Sequence, residues 1–204
     1  MHRLMISVPA AILLVLVPGV VLAKSEFSIP KKRLRDGVYT SPAGEFTLKI
    51  PRLITPGAKS EERQVGPGGW AVFFTDDFGH VYFVLKSDNR SPRKTIEEIT
   101  SDIEVGDTVR SKVSVATSRG TEVRVAGVVK NGSPITSVSE VAGKKTEKQL
   151  DLVKVSSLFL HDDDAYEVTV GLTRLHDDQA DDDLLGKAKA ELETFLSGLT
   201  LQGR

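Results

Sequence analysis

The sequence predicts an α+β domain, an antiparallel β-sheet of hairpins with two packing helices, with an α/β/α sandwich as its more specific form, after an N-terminal signal helix. Three observations carry that prediction. Most apolar segments are short runs or alternations bounded by Gly, Pro, Asn and Asp, as strands joined by tight turns require. Two segments, one opening at Ser91-Pro92 and one at Ala180, instead repeat their apolar residues at spacings of three and four, which is helical. The first residues form a charged head, an uncharged apolar stretch and a polar resumption, the pattern of an export signal.

Arg3 supplies the positive head, Leu4 to Ala23 has no charge, and Lys24 resumes the polar chain. The dense apolar run Ala10 to Val17 has the length of a signal core, Pro18 and Gly19 break it, and Val21-Leu22-Ala23 suits signal peptidase. The expectation is cleavage after Ala23, with an uncleaved membrane anchor as the alternative. Residues 24–37 carry Lys31-Lys32-Arg33 and Arg35 with few apolar anchors and read as a flexible basic leader, leaving 38–204 as a single α+β domain.

Within that domain, Val38 to Thr40 and the alternating Phe46, Leu48, Ile50 form a strand pair around Ser41-Pro42-Ala43-Gly44. Ile54 to Gly69, rich in Gly, Pro and charge, reads as loop. Trp70 to Thr75 and His80 to Lys86 are two strong strands, and Gly79 can supply the positive φ of the turn between them. A helix follows with Ile96, Ile99 and Ile103 on one face, stopped by Gly106. Val113 to Ala116, Thr121 to Val129 and Ile135 to Val138 read as strands, the last after the turn signal Asn131-Gly132. Leu150 to Leu160 and Ala165 to Leu175 make the longest pair. The closing helix, Ala180 to Leu199, places Leu184, Leu185, Ala188, Leu192, Phe195 and Leu196 on one greasy face.

Composition narrows the function classes. The chain has 27 Lys and Arg against 28 Asp and Glu, so nothing favours nucleic acid, whose affinity comes from clustered positive charge. There are no cysteines, which excludes disulfides, thiol chemistry and lipid attachment at the cut. This usage points to a bacterial periplasmic or secreted protein. Membrane contact is expected only through an uncleaved signal or the basic leader.

The chemical candidates are few. Acidic clusters follow His161 (Asp162 to Asp164), His176 (Asp177, Asp178) and Gln179-Ala180 (Asp181 to Asp183). Asp177, Asp178 and Asp181 are the candidate ligands of a divalent cation, the one cofactor considered, although they lack the D-x-D-x-D-G loop of a calcium site and acids before a helix serve its dipole in any case. His80, His161 and His176 have no partner at H-x-x-x-H or H-E-x-x-H spacing, and no G-x-S-x-G or S-x-x-K occurs. Gly66 to Gly69 and Gly143 to Thr146 read as turns and not as phosphate loops.

Trp70, Phe73, Phe74, Phe78, Tyr82 and Phe83 gather half of the chain's twelve aromatics on one hairpin. Adjacent strand residues face opposite sides, so Phe73 and Phe74 enter different layers: either both faces are covered, or one is a contact surface. Trp70, Phe74 and Tyr82 are the candidate partner-binding residues.

Tyr39-Thr40-Ser41-Pro42-Ala43-Gly44-Glu45-Phe46 closing on Ile50-Pro51, a sheet of hairpins with an interposed helix, and a last helix ending Phe195-Leu196-Ser197-Gly198-Leu199-Thr200 together resemble the PsbP-like α/β/α sandwich family over residues 38–201. The resemblance implies a small exported accessory or binding protein with no shared catalytic residues. The functional expectation is therefore a noncatalytic accessory or binding protein with an unknown protein or small-molecule partner. The alternative is a hydrolase or metal-dependent enzyme using His161 or His176 with nearby aspartates.

Overall fold

The computed structural model describes residues 29–50, 59–76, 79–133, 136–141, 144–174 and 179–203. The signal segment, with its expected helix, and the first five leader residues lie outside them.

In chain order, a 3-10 turn at Lys31–Arg33 leads into β1 (Leu34–Arg35), β2 (Val38–Thr40), β3 (Phe46–Lys49), β4 (Lys59–Gln64), β5 (Trp70–Thr75) and β6 (His80–Asp88). The one-turn helix α1 (Ile96–Ile99) is followed by β7 (Val109–Thr117), β8 (Gly120–Val129), β9 (Thr136–Val141), β10 (Lys144–Gln149), β11 (Leu152–His161) and β12 (Asp164–Thr173). Helix α2 (Asp181–Ser197) and β13 (Leu199–Leu201) close the chain. The α+β expectation holds: the described residues are mostly antiparallel sheet with two helices.

The main sheet has seven strands in the order β4-β5-β6-β12-β11-β8-β7, every neighbouring pair antiparallel. A smaller sheet, β1-β2-β3-β13, ties the first strands of the domain to its last. Hairpin β9-β10 stands as its own two-stranded sheet.

Alternation divides the main sheet into two faces. On one, Val72, Phe74, Tyr82, Val84, Val153, Val155, Phe159, Tyr166, Val168 and Val170 are buried against the greasy face of α2 and against Tyr39, Phe46 and Leu48 of the small sheet, forming the principal core. On the opposite face a second cluster gathers Ile96 of α1 with Val123, Val125 and Leu158. A capping box starts α1: Thr95 accepts from the Glu98 backbone N–H, and the Glu98 carboxylate accepts from that of Thr95.

Several elements differ from the sequence reading. Part of the segment read as a flexible leader is ordered: Ile29 is buried in the core and Leu34–Arg35 pairs with β2. The loop read over Ile54 to Gly69 contains β4, whose polar sequence carries no apolar alternation but pairs residue for residue with β5. Likewise Lys144 to Thr146, read as a turn, lies in β10. Helix α1 stops after one turn, while Ile103 still packs against its cluster. Helix α2 ends at Ser197, so Leu199 belongs to β13. Gly79 does adopt φ +90°, and a Cβ there would stand 2.6 Å from that of Thr173, so the turn needs glycine for conformation and for space.

Candidate partner-binding surface

Register decides where the aromatic hairpin points. Trp70, Phe74 and Tyr82 share the face covered by α2 and the small sheet. Phe74 is 0% exposed, its ring edge-on to Tyr39, and Tyr82 is 1% exposed, its ring 5.1 Å from Phe195 of α2. These two rings are core, and neither offers a surface to a partner. Trp70 is half-buried: its indole N–H donates to the Tyr39 hydroxyl at 2.8 Å, and the Arg33 guanidinium lies 5.5 Å over its ring. Tyr39 in turn donates to Glu62 Oε2 at 2.8 Å, and Arg33 bonds Glu62 Oε1 at 2.5 Å. Burial, the largest influence, pushes the Tyr39 phenol well above its ordinary range.

The aromatics left at the surface are on the other face. Phe73 and Phe83 stand directly opposite each other in register, both half-buried, and neither belongs to the two apolar clusters of the described residues. Directly opposed residues share a face. The same row continues across the sheet through Thr169, opposite Phe83, and Ser156, opposite Thr169. Here the row turns polar and is buried. The Ser156 and Thr169 hydroxyls hydrogen-bond each other at 2.6 Å, and each lies within reach of Glu167 Oε1, at 3.2 and 3.1 Å. Glu167 is 5% exposed, and its Oε2 has no hydrogen-bond partner among the described residues. The two phenylalanines thus border a buried hydroxyl-carboxylate cluster.

The histidines and aspartates are otherwise engaged. His80 Nδ1 lies 2.7 Å from Asp76 Oδ2, the His80 backbone N–H donates to Asp76 Oδ1 at 2.8 Å, and Nε2 faces Glu191 Oε1 of α2 at 3.6 Å. Tyr82 donates to Glu191 Oε2 at 3.0 Å, and its phenol is held well above its ordinary range by burial and then by the Glu191 charge. Both imidazole nitrogens therefore face carboxylates, and the ring bridges the β5-β6 turn to α2. Sequence reasoning missed this cluster, although Asp76 and His80 flank the predicted turn and Glu191 lies on α2.

His161 is partly exposed, with Nε2 3.9 Å from Asp162 Oδ2 and its ring edge-on to Tyr166. The aspartates after it diverge: Asp163 pairs with Arg93 at 3.8 Å and Asp164 with the buried Lys86 at 3.5 Å. His176, Asp177 and Asp178 lie outside the described residues. Asp181 is ion-paired with both Arg110 and Arg174. Among the described residues no group of three His, Asp or Glu side chains is placed to hold a metal ion, and no helix is long and apolar enough to cross a membrane.

A buried carboxylate missed by sequence reasoning lies on β8. Glu122 is 0% exposed and accepts from Ser157 at 2.7 Å and Thr117 at 2.8 Å, with Arg119 at 2.7 Å and Arg124 at 2.8 Å. Burial alone would raise its pKa, but the two hydroxyls and two guanidiniums together hold it below the ordinary carboxylate range.

Solved structures similar to the chain include two of low identity. The chain is similar to a cyanobacterial PsbP. That protein, from Synechocystis, shares 13% identity with this chain over 81% of it and 91% of its own length, at a TM-score of 0.45. A second similar structure, of a protein from Bacteroides thetaiotaomicron, shares 10% identity over 82% of this chain at a TM-score of 0.39, and the chain spans 49% of its length. The likeness to PsbP is one of fold. No family and no curated protein matches the chain.

Proposed function

We propose that the protein is a noncatalytic accessory or binding module that works outside the cytoplasm, contacting its partner through the sheet face that carries Phe73 and Phe83. The observation that supports this reading is the directly opposed Phe73 and Phe83, half-buried and outside both apolar clusters of the described residues. Large apolar side chains held rigid at a surface supply contact area at little entropic cost. The partner that fits presents an apolar group. Export rests on the charged head, apolar core and Val21-Leu22-Ala23 boundary of the first residues.

Placing a benzoylphenylalanine photo-crosslinker at Phe83, and separately at the exposed Lys187 of α2, in the producing cell tests the surface. A discrete adduct from position 83 and none from position 187 is expected, on protein whose intact mass starts at Lys24. Equal labelling from both positions, or none from position 83, contradicts the reading.

A further inference from the structure

The two ends of the main sheet are edges, and one of them has the makings of an interface. Strand β7 is nine residues long and pairs only with β8, so one row of its backbone N–H and C=O groups is unpartnered within the sheet. Val113 is 53% and Val115 39% exposed, because on that face α2 stops short of β7. A groove of about 480 Å³ runs beside them, lined by Val113, Ser111, Arg124, Ala126 and by Lys189 and Leu192 of α2.

We infer that β7 pairs antiparallel with β7 of a second copy of this chain, about a two-fold axis at Ser114, joining the two main sheets into one. The sequence of the strand selects both occupant and register. A two-fold axis perpendicular to the sheet keeps like faces together, so residues pair only with others of the same parity. Centred on Ser114, Val113 of each copy meets Val115 of the other, giving two valine pairs on one face, while Lys112 meets Ala116 on the other. Centred on Val113, each Val115 meets Ser111 and one valine pair is lost. Centred on Lys112, two lysines collide, which is destabilising.

Charge placement agrees. The basic groups of the edge are already engaged within the chain: Arg110 with Asp181, Arg119 with Glu122, and Lys112 Nζ with the Thr100 carbonyl at 2.6 Å. A second copy therefore approaches an edge whose arginines have carboxylate partners and whose Lys112 is turned to a backbone carbonyl of its own chain. One strand pairing buries less area than a standard-size interface, so the dimer is a weak one that forms as concentration rises. The inference stands apart from the Phe73–Phe83 reading, which concerns other strands of the sheet.

The chain has no cysteine, so an introduced one reports without background. Residues opposite each other in an antiparallel pair have Cα atoms about 4.5–5.5 Å apart, within disulfide range, whereas Ala116 would sit about 13 Å from its counterpart. Ser114 and Ala116 are both exposed, so neither substitution disturbs the core. Under copper-phenanthroline oxidation, Ser114→Cys is expected to form the covalent dimer at least about tenfold faster than Ala116→Cys, because pairing raises its effective concentration. Adding Val113→Lys and Val115→Lys to Ser114→Cys is expected to abolish that advantage at unchanged Tm. Equal rates for the two cysteines, or an advantage that survives the lysines, would overturn the inference.

Discussion

The two edges of the main sheet are anchored alike and finished differently. At one end β4 carries Glu62, 8% exposed, held by Tyr39 and Arg33; next to the other end β8 carries Glu122, 0% exposed, held by Ser157, Thr117, Arg119 and Arg124. Glu62 pins its end of the sheet to the small sheet and the 3-10 turn, whereas Glu122 ties β8 to β7, the turn between them and β11 within the main sheet. Outward, however, β4 exposes Arg63 and Gln64 and half-exposes Glu61, polar groups that discourage a further strand, whereas β7 shows Val113 and Val115. The difference teaches that satisfying an edge strand's inner side and guarding its outer side are separate problems, and that this chain solves the second at one end only.

The anchors give the largest expected effects. Glu122→Ala leaves two part-buried guanidiniums and two hydroxyls without their acceptor and is expected to cost about 3–5 kcal/mol, the range for breaking a buried ion pair. Glu62→Ala removes one phenol bond and one arginine bond and is expected to cost about 1–3 kcal/mol. Urea denaturation of both variants checks the order; equal losses would break the distinction between a four-partner and a two-partner anchor.

Titration separates the two ends next. Glu122 is held below the ordinary carboxylate range, so its contribution is fully present above the unfolded value, about 4.5, and is lost as pH falls through its folded value. Glu45, under Lys86, and Asp151, beside Lys130, are depressed in the same direction and add to the acid loss. Tyr39, the partner of Glu62, is shifted the opposite way. Its contribution is fully present below the unfolded phenol value, about 10, and declines as pH rises beyond it. Acid therefore removes the Glu122 contribution at the β7 end, and alkali the Tyr39 contribution at the β4 end. A Tm series across pH should show Glu122→Gln flattening the acid arm and Tyr39→Phe flattening the alkaline arm, with the share of Tyr82 remaining. Both arms unchanged in both variants would contradict the assignment.

How much of this was legible in the sequence follows from what drives each element. The runs of β11 and β12 and the stripe of α2 bury apolar side chains, and burial leaves a period that can be read directly. Strands β4 and β10 form by pairing of polar residues, so nothing in their composition announces them. For the candidate surface, alternation established that Phe73 and Phe74 part company. Which of them faces the core depends on the side α2 covers, a tertiary fact, and so Phe74 and Tyr82 looked as available as Phe73 and Phe83. The edge status of β7 was equally hidden, because strand order in the sheet is not chain order.

Amide hydrogen exchange of the whole protein at low and high concentration tests the unequal edges most directly. The account predicts that peptides covering Ser111 to Thr117 gain protection as concentration rises, while those covering Lys59 to Gln64 do not change. Concentration-independent exchange at both edges, or equal gains at both, would contradict it.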